Sequence, residues 1–77
     1  MNPQIIFTTK LQDLPKDSRI YIKAIENKVF GYAIICNDQL GTGKIKLLEI
    51  YIYEPYQRFG HGKSIIDKVL QVEIKSP

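Results

Sequence analysis

The sequence predicts an α+β fold in which an antiparallel sheet of about three strands precedes a C-terminal amphipathic helix. Residues 19–36 contain two β-like runs separated by a tight turn, and residues 45–53 form a third. Residues 63–75 repeat apolar side chains at helical spacing. A chain of 77 residues can form one small domain, so we expect a single unit over residues 1–77.

The first eighteen residues carry little periodic signal. A short apolar patch at residues 5–7 is followed by a polar stretch that ends in turn formers near Pro15. Residues 1–18 therefore fit either a short helix or an extended arm.

A β-hairpin is predicted over residues 19–36. Apolar and polar side chains alternate in residues 19–25, as in a half-buried strand. Turn formers follow at residues 26–28, and residues 29–36 form a more continuously apolar run.

The third strand and the helix follow a loop rich in glycine and polar residues. Residues 45–53 carry apolar side chains on both faces, which is typical of a central strand. In residues 63–75 the apolar side chains fall on one side at 100° per residue, so we predict that this helix packs on the sheet. Its apolar residues are Ile65, Ile66, Val69, Leu70 and Val72.

Composition argues for a folded globular chain and against several classes of function. Hydrophobic residues make up 44% of the chain and charged residues 25%, which is ordinary globular usage. The longest apolar runs are only a few residues, so no membrane span and no signal peptide are expected. Eleven basic against eight acidic residues give a net charge of +3 without a clustered basic tract. We therefore expect a cytoplasmic protein that does not bind nucleic acid.

Cysteine and histidine each occur once. Cys36 has no partner for an intrachain disulfide, and one cysteine with one histidine cannot form a structural zinc site, so no metal is expected. Cys36 is predicted to be a small buried hydrophobe. His61 has two interpretations, a general base or a loop residue whose ring packs beside the turn.

The segment that joins the third strand to the helix, residues 54–63, carries the strongest functional signal. A glycine-containing turn that opens a helix leaves backbone N–H groups at the positive end of that helix, where phosphate binds readily. The Walker pattern would need glycine where Gln57 stands, and the dinucleotide pattern would need glycine where Ile65 stands. Residues 57–62 instead match Gln-x-x-Gly-x-Gly.

This pattern resembles the acetyl-CoA pyrophosphate loop of the GNAT superfamily of N-acetyltransferases. Residues 48–54 together with residues 57–63 resemble, more narrowly, the α-tubulin N-acetyltransferase family. The corresponding run of that family reads approximately L-D-F-Y-[IV]-H-E-x-x-Q-R-x-G-H-G-[KR]. The resemblance covers roughly residues 47–72, about a third of the chain.

The resemblance implies a partial GNAT acetyltransferase fold that binds acetyl-CoA through a loop at residues 54–63. Third-strand backbone groups would pair with the pantetheine arm, and the loop would hold the pyrophosphate. The implied activity is acetyl transfer to a lysine ε-amine. The implied partner is α-tubulin in microtubules, which suggests a microtubule- or axoneme-associated location. The implied cofactor-binding residues are Ile50, Tyr51, Ile52, Tyr53, Gln57, Arg58, Phe59, Gly60, His61, Gly62 and Lys63.

Glu49 is the candidate catalytic residue, because it matches an acidic position of the family strand and a carboxylate there could take a proton from the incoming ammonium. The alternative is a structural salt bridge or a solvent-facing side chain. Lys46 stands where many family members carry cysteine, and Tyr53 replaces the family's histidine.

In the family, the helix is followed by a further strand, an acidic catalytic residue and a second cofactor segment. The sequence shows none of these after the predicted helix, so we expect a truncated or partial member. Three hypotheses about its function stay open. The chain could be the acetyl-CoA-binding part of an α-tubulin-type enzyme or of another GNAT N-acetyltransferase. It could also be a non-catalytic remnant that acts as an interaction or regulatory module.

Overall fold

The computed structural model describes residues 10–38, 40–41 and 43–74. Single turns of 3₁₀ helix lie at Leu11–Asp13 and Glu54–Tyr56. The remaining elements are β1 (Arg19–Ile25), β2 (Lys28–Asn37), β3 (Ile45–Ile52) and α1 (His61–Glu73). Residues 1–9 of the segment predicted as a short helix or an extended arm lie outside the described residues, as does residue 75 of the predicted helix.

The three strands form one antiparallel sheet in the order β1-β2-β3. The prediction of a small α+β fold with three antiparallel strands and one helix is therefore confirmed. The prediction that residues 45–53 form the central strand is wrong for the described chain, where β3 is an edge strand and β2 lies in the middle. The continuous apolar run of β2 is what indicates the central strand, because residues 31–36 are all buried.

The core on one face of the sheet lies between β2 and α1. Ala33 and Ile35 of β2 pack against Ile65 and Val69 of α1. The two helix residues are one turn apart and so lie on the same side of α1. Leu70, which was also predicted on the apolar side, is 44% exposed, so the buried stripe of α1 is narrower than the sequence pattern suggested.

A bulge in β3 decides which of its side chains face α1. Ile34 pairs with Glu49 and Ile35 pairs with Leu47, so Leu48 is an extra residue. Ile45 and Ile52 both pack against the core beside α1, although they are seven positions apart in the chain. Side chains of a regular strand alternate between faces, so this arrangement requires the extra residue.

The opposite face of β2 is also buried. Tyr32, Ile34 and Cys36 alternate with the residues that face α1, and each is at most 1% exposed. Cys36 is a buried free thiol, as predicted. No helix within the described ranges is long and apolar enough to cross a membrane.

A polar cluster fixes the end of α1 to β1. Arg19 Nη2 donates a hydrogen bond to Glu73 Oε1 at 2.8 Å, and the Tyr21 hydroxyl donates to Glu73 Oε2. Arg19 also donates to the Asn37 Oδ1 atom at 3.0 Å. The Glu73 side chain is only 14% exposed, so its contacts with Arg19 and Tyr21 are partly shielded from solvent.

This cluster predicts an acid-sensitive contact between helix and sheet. The hydrogen bond from Tyr21, supported by Arg19, holds the pKa of Glu73 below its usual value of 4.5. A carboxyl group with a lowered pKa in the folded state contributes stability above pH 4.5 that is lost as the pH falls through its folded pKa. We expect Glu73→Gln to lower the free energy of unfolding by about 1 kcal/mol at pH 7 and by much less at pH 3.

Thermal unfolding followed by circular dichroism at the two pH values measures this difference. Asp67→Asn is the matched control, because it removes the same charge from an exposed position of α1. An equal loss for Glu73→Gln at both pH values would show that the contribution of Glu73 does not depend on ionisation of its carboxyl group.

Candidate functional site

The site begins where β3 leaves the sheet. The Tyr53 N–H donates to the carbonyl oxygen of Phe30 at 3.0 Å, which extends the pairing with β2 one residue beyond the end of β3. Pro55 then lies in the short 3₁₀ turn, and the Tyr56 N–H donates back to the Tyr53 carbonyl oxygen at 2.8 Å. The chain therefore turns away from the sheet directly after β3.

The outer edge of β3 presents backbone groups to this turn. In an antiparallel pair, residues that bond to the neighbouring strand alternate with residues whose N–H and C=O groups point away from it. Since Tyr53 bonds to β2, the backbone groups of Ile50 and Ile52 point outward. Gln57 Nε2 donates to the carbonyl oxygen of Ile52 at 2.8 Å, so this side chain acts as a short substitute for a neighbouring strand.

Two left-handed residues shape the loop between β3 and α1. Arg58 has φ 71° and Gly60 has φ 84°. A non-glycine residue in this region costs about 1 kcal/mol, and such strain is concentrated at functional sites. A side chain at Gly60 would meet no atom within 4 Å, so glycine is favoured there by the backbone angle alone.

The first turn of α1 presents free N–H donors. The first hydrogen bond within the helix is from the Ser64 N–H to the Gly60 carbonyl oxygen at 3.0 Å. The N–H groups of His61, Gly62 and Lys63 therefore have no acceptor within the helix, and no side chain caps it at Gly60. Together with the positive end of the helix dipole, these three donors favour an anion.

Gly62 keeps the space between α1 and β3 open. A Cβ atom at this position would lie 3.7 Å from Ile52 Cγ1 and 3.9 Å from Ile50 Cδ1. The missing side chain thus points toward β3. The first turn of the helix and the outer edge of the strand border one groove as a result.

This groove has a volume of about 380 Å³. The structure brings together in it all the predicted cofactor-binding residues except Tyr53, Phe59 and Lys63. Tyr56 also lines it and was not selected from the sequence, although its place between Pro55 and Gln57 could have indicated this. The lining residues are Ile50, Tyr51, Ile52, Tyr56, Gln57, Arg58, Gly60, His61 and Gly62.

An aromatic cluster holds the loop against the sheet. The His61 ring stacks on Phe30 with a centroid distance of 4.6 Å and an interplanar angle of 19°. Phe30 also contacts Tyr56 edge to face at 4.6 Å. His61 is the first residue of α1, so this stacking fixes the start of the helix beside β2. The geometry favours the packing interpretation of His61.

Glu49 lies outside the groove. It is on the face of the sheet opposite α1, where the buried Tyr32 hydroxyl donates a hydrogen bond to Glu49 Oε2. Tyr51, two residues further along the strand, belongs to the same face and also lines the groove. The structure therefore connects the candidate catalytic residue to the candidate cofactor groove through Tyr32 and then Tyr51.

The donor set of the site consists of backbone N–H groups and positive side chains. Within the described ranges, no three His, Cys, Asp or Glu side chains lie close enough to hold a metal ion. The fold and groove together define a small α+β unit whose strand-to-helix junction presents backbone donors and positive side chains. Comparisons with protein-family models, with curated proteins and with solved structures find no match to the chain.

Proposed function

We propose that this chain binds acetyl-CoA in the groove between β3 and α1, as the cofactor-binding part of a GNAT-type lysine N-acetyltransferase. The observation that supports the proposal is the convergence of three N–H groups at the start of α1 with the outer edge of β3, which has no neighbouring strand among the described residues. A CoA molecule has a pyrophosphate and an amide-containing arm, and this groove offers donors for the first and strand-like pairing for the second.

The pyrophosphate would lie against the first turn of α1. The N–H groups of residues 61–63 supply hydrogen bonds, and the helix dipole adds a favourable field. The side chains of Arg58 and Lys63 are exposed and add positive charge at this end of the groove.

The pantetheine arm would run along the outer edge of β3. Its amide groups can pair with the outward backbone groups of Ile50 and Ile52, as a peptide strand pairs with an open sheet edge. This path places the thioester beyond Ile50, toward Glu49. The acceptor nitrogen, once its ammonium form has lost a proton, would attack the thioester carbon, so that a C–N bond forms while the C–S bond breaks. CoA would leave as a thiolate that takes up a proton, and alignment of the two reactants would supply most of the rate gain.

The acceptor class is proposed from the resemblance of residues 48–63 to the α-tubulin N-acetyltransferase family. A lysine ε-amine, and α-tubulin in microtubules as its carrier, are therefore the proposed substrate and partner. Association with microtubules in the cytoplasm follows from the same resemblance.

Titration of the ¹⁵N-labelled chain with CoA and with its two parts tests the cofactor proposal. Inorganic pyrophosphate should shift the amide signals of residues 61–64, and pantetheine should shift those of residues 50–52. CoA should shift both sets and bind more tightly than either part, because the two contacts then act in one molecule. If millimolar CoA shifts neither set of amides, the groove is not a CoA site.

The charge contribution predicts a salt-dependent affinity. We expect the double variant Arg58→Gln, Lys63→Gln to bind CoA about tenfold more weakly at low salt and to show a flatter dependence on salt concentration. Calorimetric titration at two salt concentrations measures both effects. The control is Lys16→Gln combined with Lys68→Gln, which removes the same net charge at exposed positions that do not line the groove. Equal losses in the two double variants would mean that net charge, and not the position of these side chains, drives binding.

A further inference from the structure

A carboxylate and three tyrosines form a cluster on the face of the sheet opposite α1. The Glu49 cluster consists of Tyr32 from β2 with Glu49, Tyr51 and Tyr53, which alternate along and just after β3. Tyr51 belongs both to this cluster and to the lining of the groove. The cluster therefore borders the strand edge along which the proposed pantetheine arm runs.

The three rings are close together. The centroid distances are 6.2 Å between Tyr32 and Tyr51, 5.6 Å between Tyr51 and Tyr53, and 6.5 Å between Tyr32 and Tyr53. Tyr32 is completely buried, whereas Tyr51 is 37% exposed. A ligand can therefore reach Tyr51 from solvent, while Tyr32 acts only through its neighbours.

The Tyr32 hydroxyl donates to one oxygen of Glu49. Tyr32 sits opposite Tyr51 in the β2–β3 register, and Glu49 sits opposite Ile34, so the hydrogen bond runs diagonally between the strands. Because the Tyr32 ring is fixed in the sheet, this bond limits the orientation of the carboxylate. An ionised carboxylate has about four acceptor sites, so it can accept from an ammonium group as well as from Tyr32.

The chemistry of the cluster selects a cation. Tyrosine rings attract a cation over their faces, and a carboxylate accepts hydrogen bonds from an ammonium group. A primary ammonium has three N–H donors and is small enough to approach a carboxylate and a ring at the same time. A neutral or anionic group of the same size would gain neither contact.

We propose that Glu49, Tyr51 and Tyr53 bind the acceptor amine as its ammonium ion, and that Tyr32 is the positioning residue that orients the Glu49 carboxylate. This inference rests on the proposed function, since it assigns an acceptor subsite beside the proposed cofactor groove. It gives the buried Tyr32 hydroxyl a role that packing does not require, because phenylalanine would fill the same volume.

The test uses Nα-acetyl-lysine methylamide as the probe and Nα-acetyl-norleucine methylamide as its uncharged counterpart. Titrated into the ¹⁵N-labelled chain, the lysine compound should shift the amides of residues 49–53, and the norleucine compound should not. Glu49→Gln should weaken the lysine response about tenfold, because the hydrogen bond to a charged acceptor is lost. Equal shifts from the two compounds, or none from either, would overturn the proposal.

The role of Tyr32 is tested by Tyr32→Phe with Tyr21→Phe as the matched control. Each variant removes a tyrosine hydroxyl that donates to a carboxylate, but Tyr21 donates to Glu73 at the end of α1. Only Tyr32→Phe should weaken lysine binding several-fold and move the ¹³Cδ signal of Glu49 at pH 7. If Tyr32→Phe leaves both unchanged, Tyr32 does not position Glu49. If this variant fails to fold, the ¹³Cδ signal of Glu49 in the folded protein decides, since lysine should move it and norleucine should not.

The two proposals fail in different ways. If CoA shifts residues 50–52 and 61–64 while the lysine compound shifts nothing, the groove binds the cofactor and the acceptor subsite is wrong. If the lysine compound shifts residues 49–53 but CoA shifts nothing, the chain has a cation site without the proposed cofactor function.

Discussion

Gly31→Ala is expected to lower the free energy of unfolding by about 3 kcal/mol or more, because the added methyl group has no space. A Cβ atom at this position would lie 2.4 Å from the Tyr51 carbonyl oxygen and 2.5 Å from Ile52 Cδ1. Gly31 is buried in the central strand and pairs with Ile52. Relief of the clash would require the backbone of β3 to move away from β2, which breaks the pairing next to the groove.

Chemical denaturation of the wild type and the variant measures this loss. Gly62→Ala is the matched control, since its Cβ atom would make only ordinary contacts of 3.7 Å or more and alanine is favoured over glycine in a helix. We expect the control to be as stable as the wild type or slightly more stable. If Gly31→Ala were equally harmless, the close approach of β3 to β2 at Gly31 would not exist in solution.

The periodic elements could be predicted from the sequence because each depends on a local pattern. Alternation in residues 19–25 and the turn formers that follow define the hairpin, and the spacing of apolar residues defines the helix. The helix begins at His61, two residues before the predicted start, because the left-handed Gly60 already provides its N-terminal boundary.

The role of β3 could not be predicted in the same way. Apolar side chains on both faces suggested a central strand, but β3 lies at the edge of the described sheet. The extra residue at Leu48 reverses the direction of side chains on either side of it, so Ile45 and Ile52 both reach the core. A bulge depends on the register with β2, and the sequence of β3 alone contains no information about that register.

Long-range polar contacts also could not be predicted from the sequence. Arg19 and Glu73 are 54 positions apart, and neither stands in a motif. The Tyr32–Glu49 bond similarly depends on the pairing of two strands. Most of the predicted loop residues do lie together, because the junction of a strand, a glycine turn and a helix is a local pattern that folds into one groove.

Gly60→Val is expected to weaken CoA binding at least about tenfold, because the first-turn N–H groups depend on the left-handed backbone at residue 60. Gly60 has φ 84° and directly precedes α1. A β-branched residue is strongly disfavoured at this angle, so the turn should adopt another conformation and the three N–H groups should no longer converge.

The matched control is Gly41→Val, which introduces the same side chain at φ 71° with no atom within 4 Å, in a loop that does not line the groove. Both variants should lose similar stability, about 1–2 kcal/mol, but only Gly60→Val should lose affinity in a calorimetric titration with CoA. Unchanged affinity in Gly60→Val would mean that the pyrophosphate does not bind at the start of α1, and the proposed site would then have to rely on the edge of β3 alone.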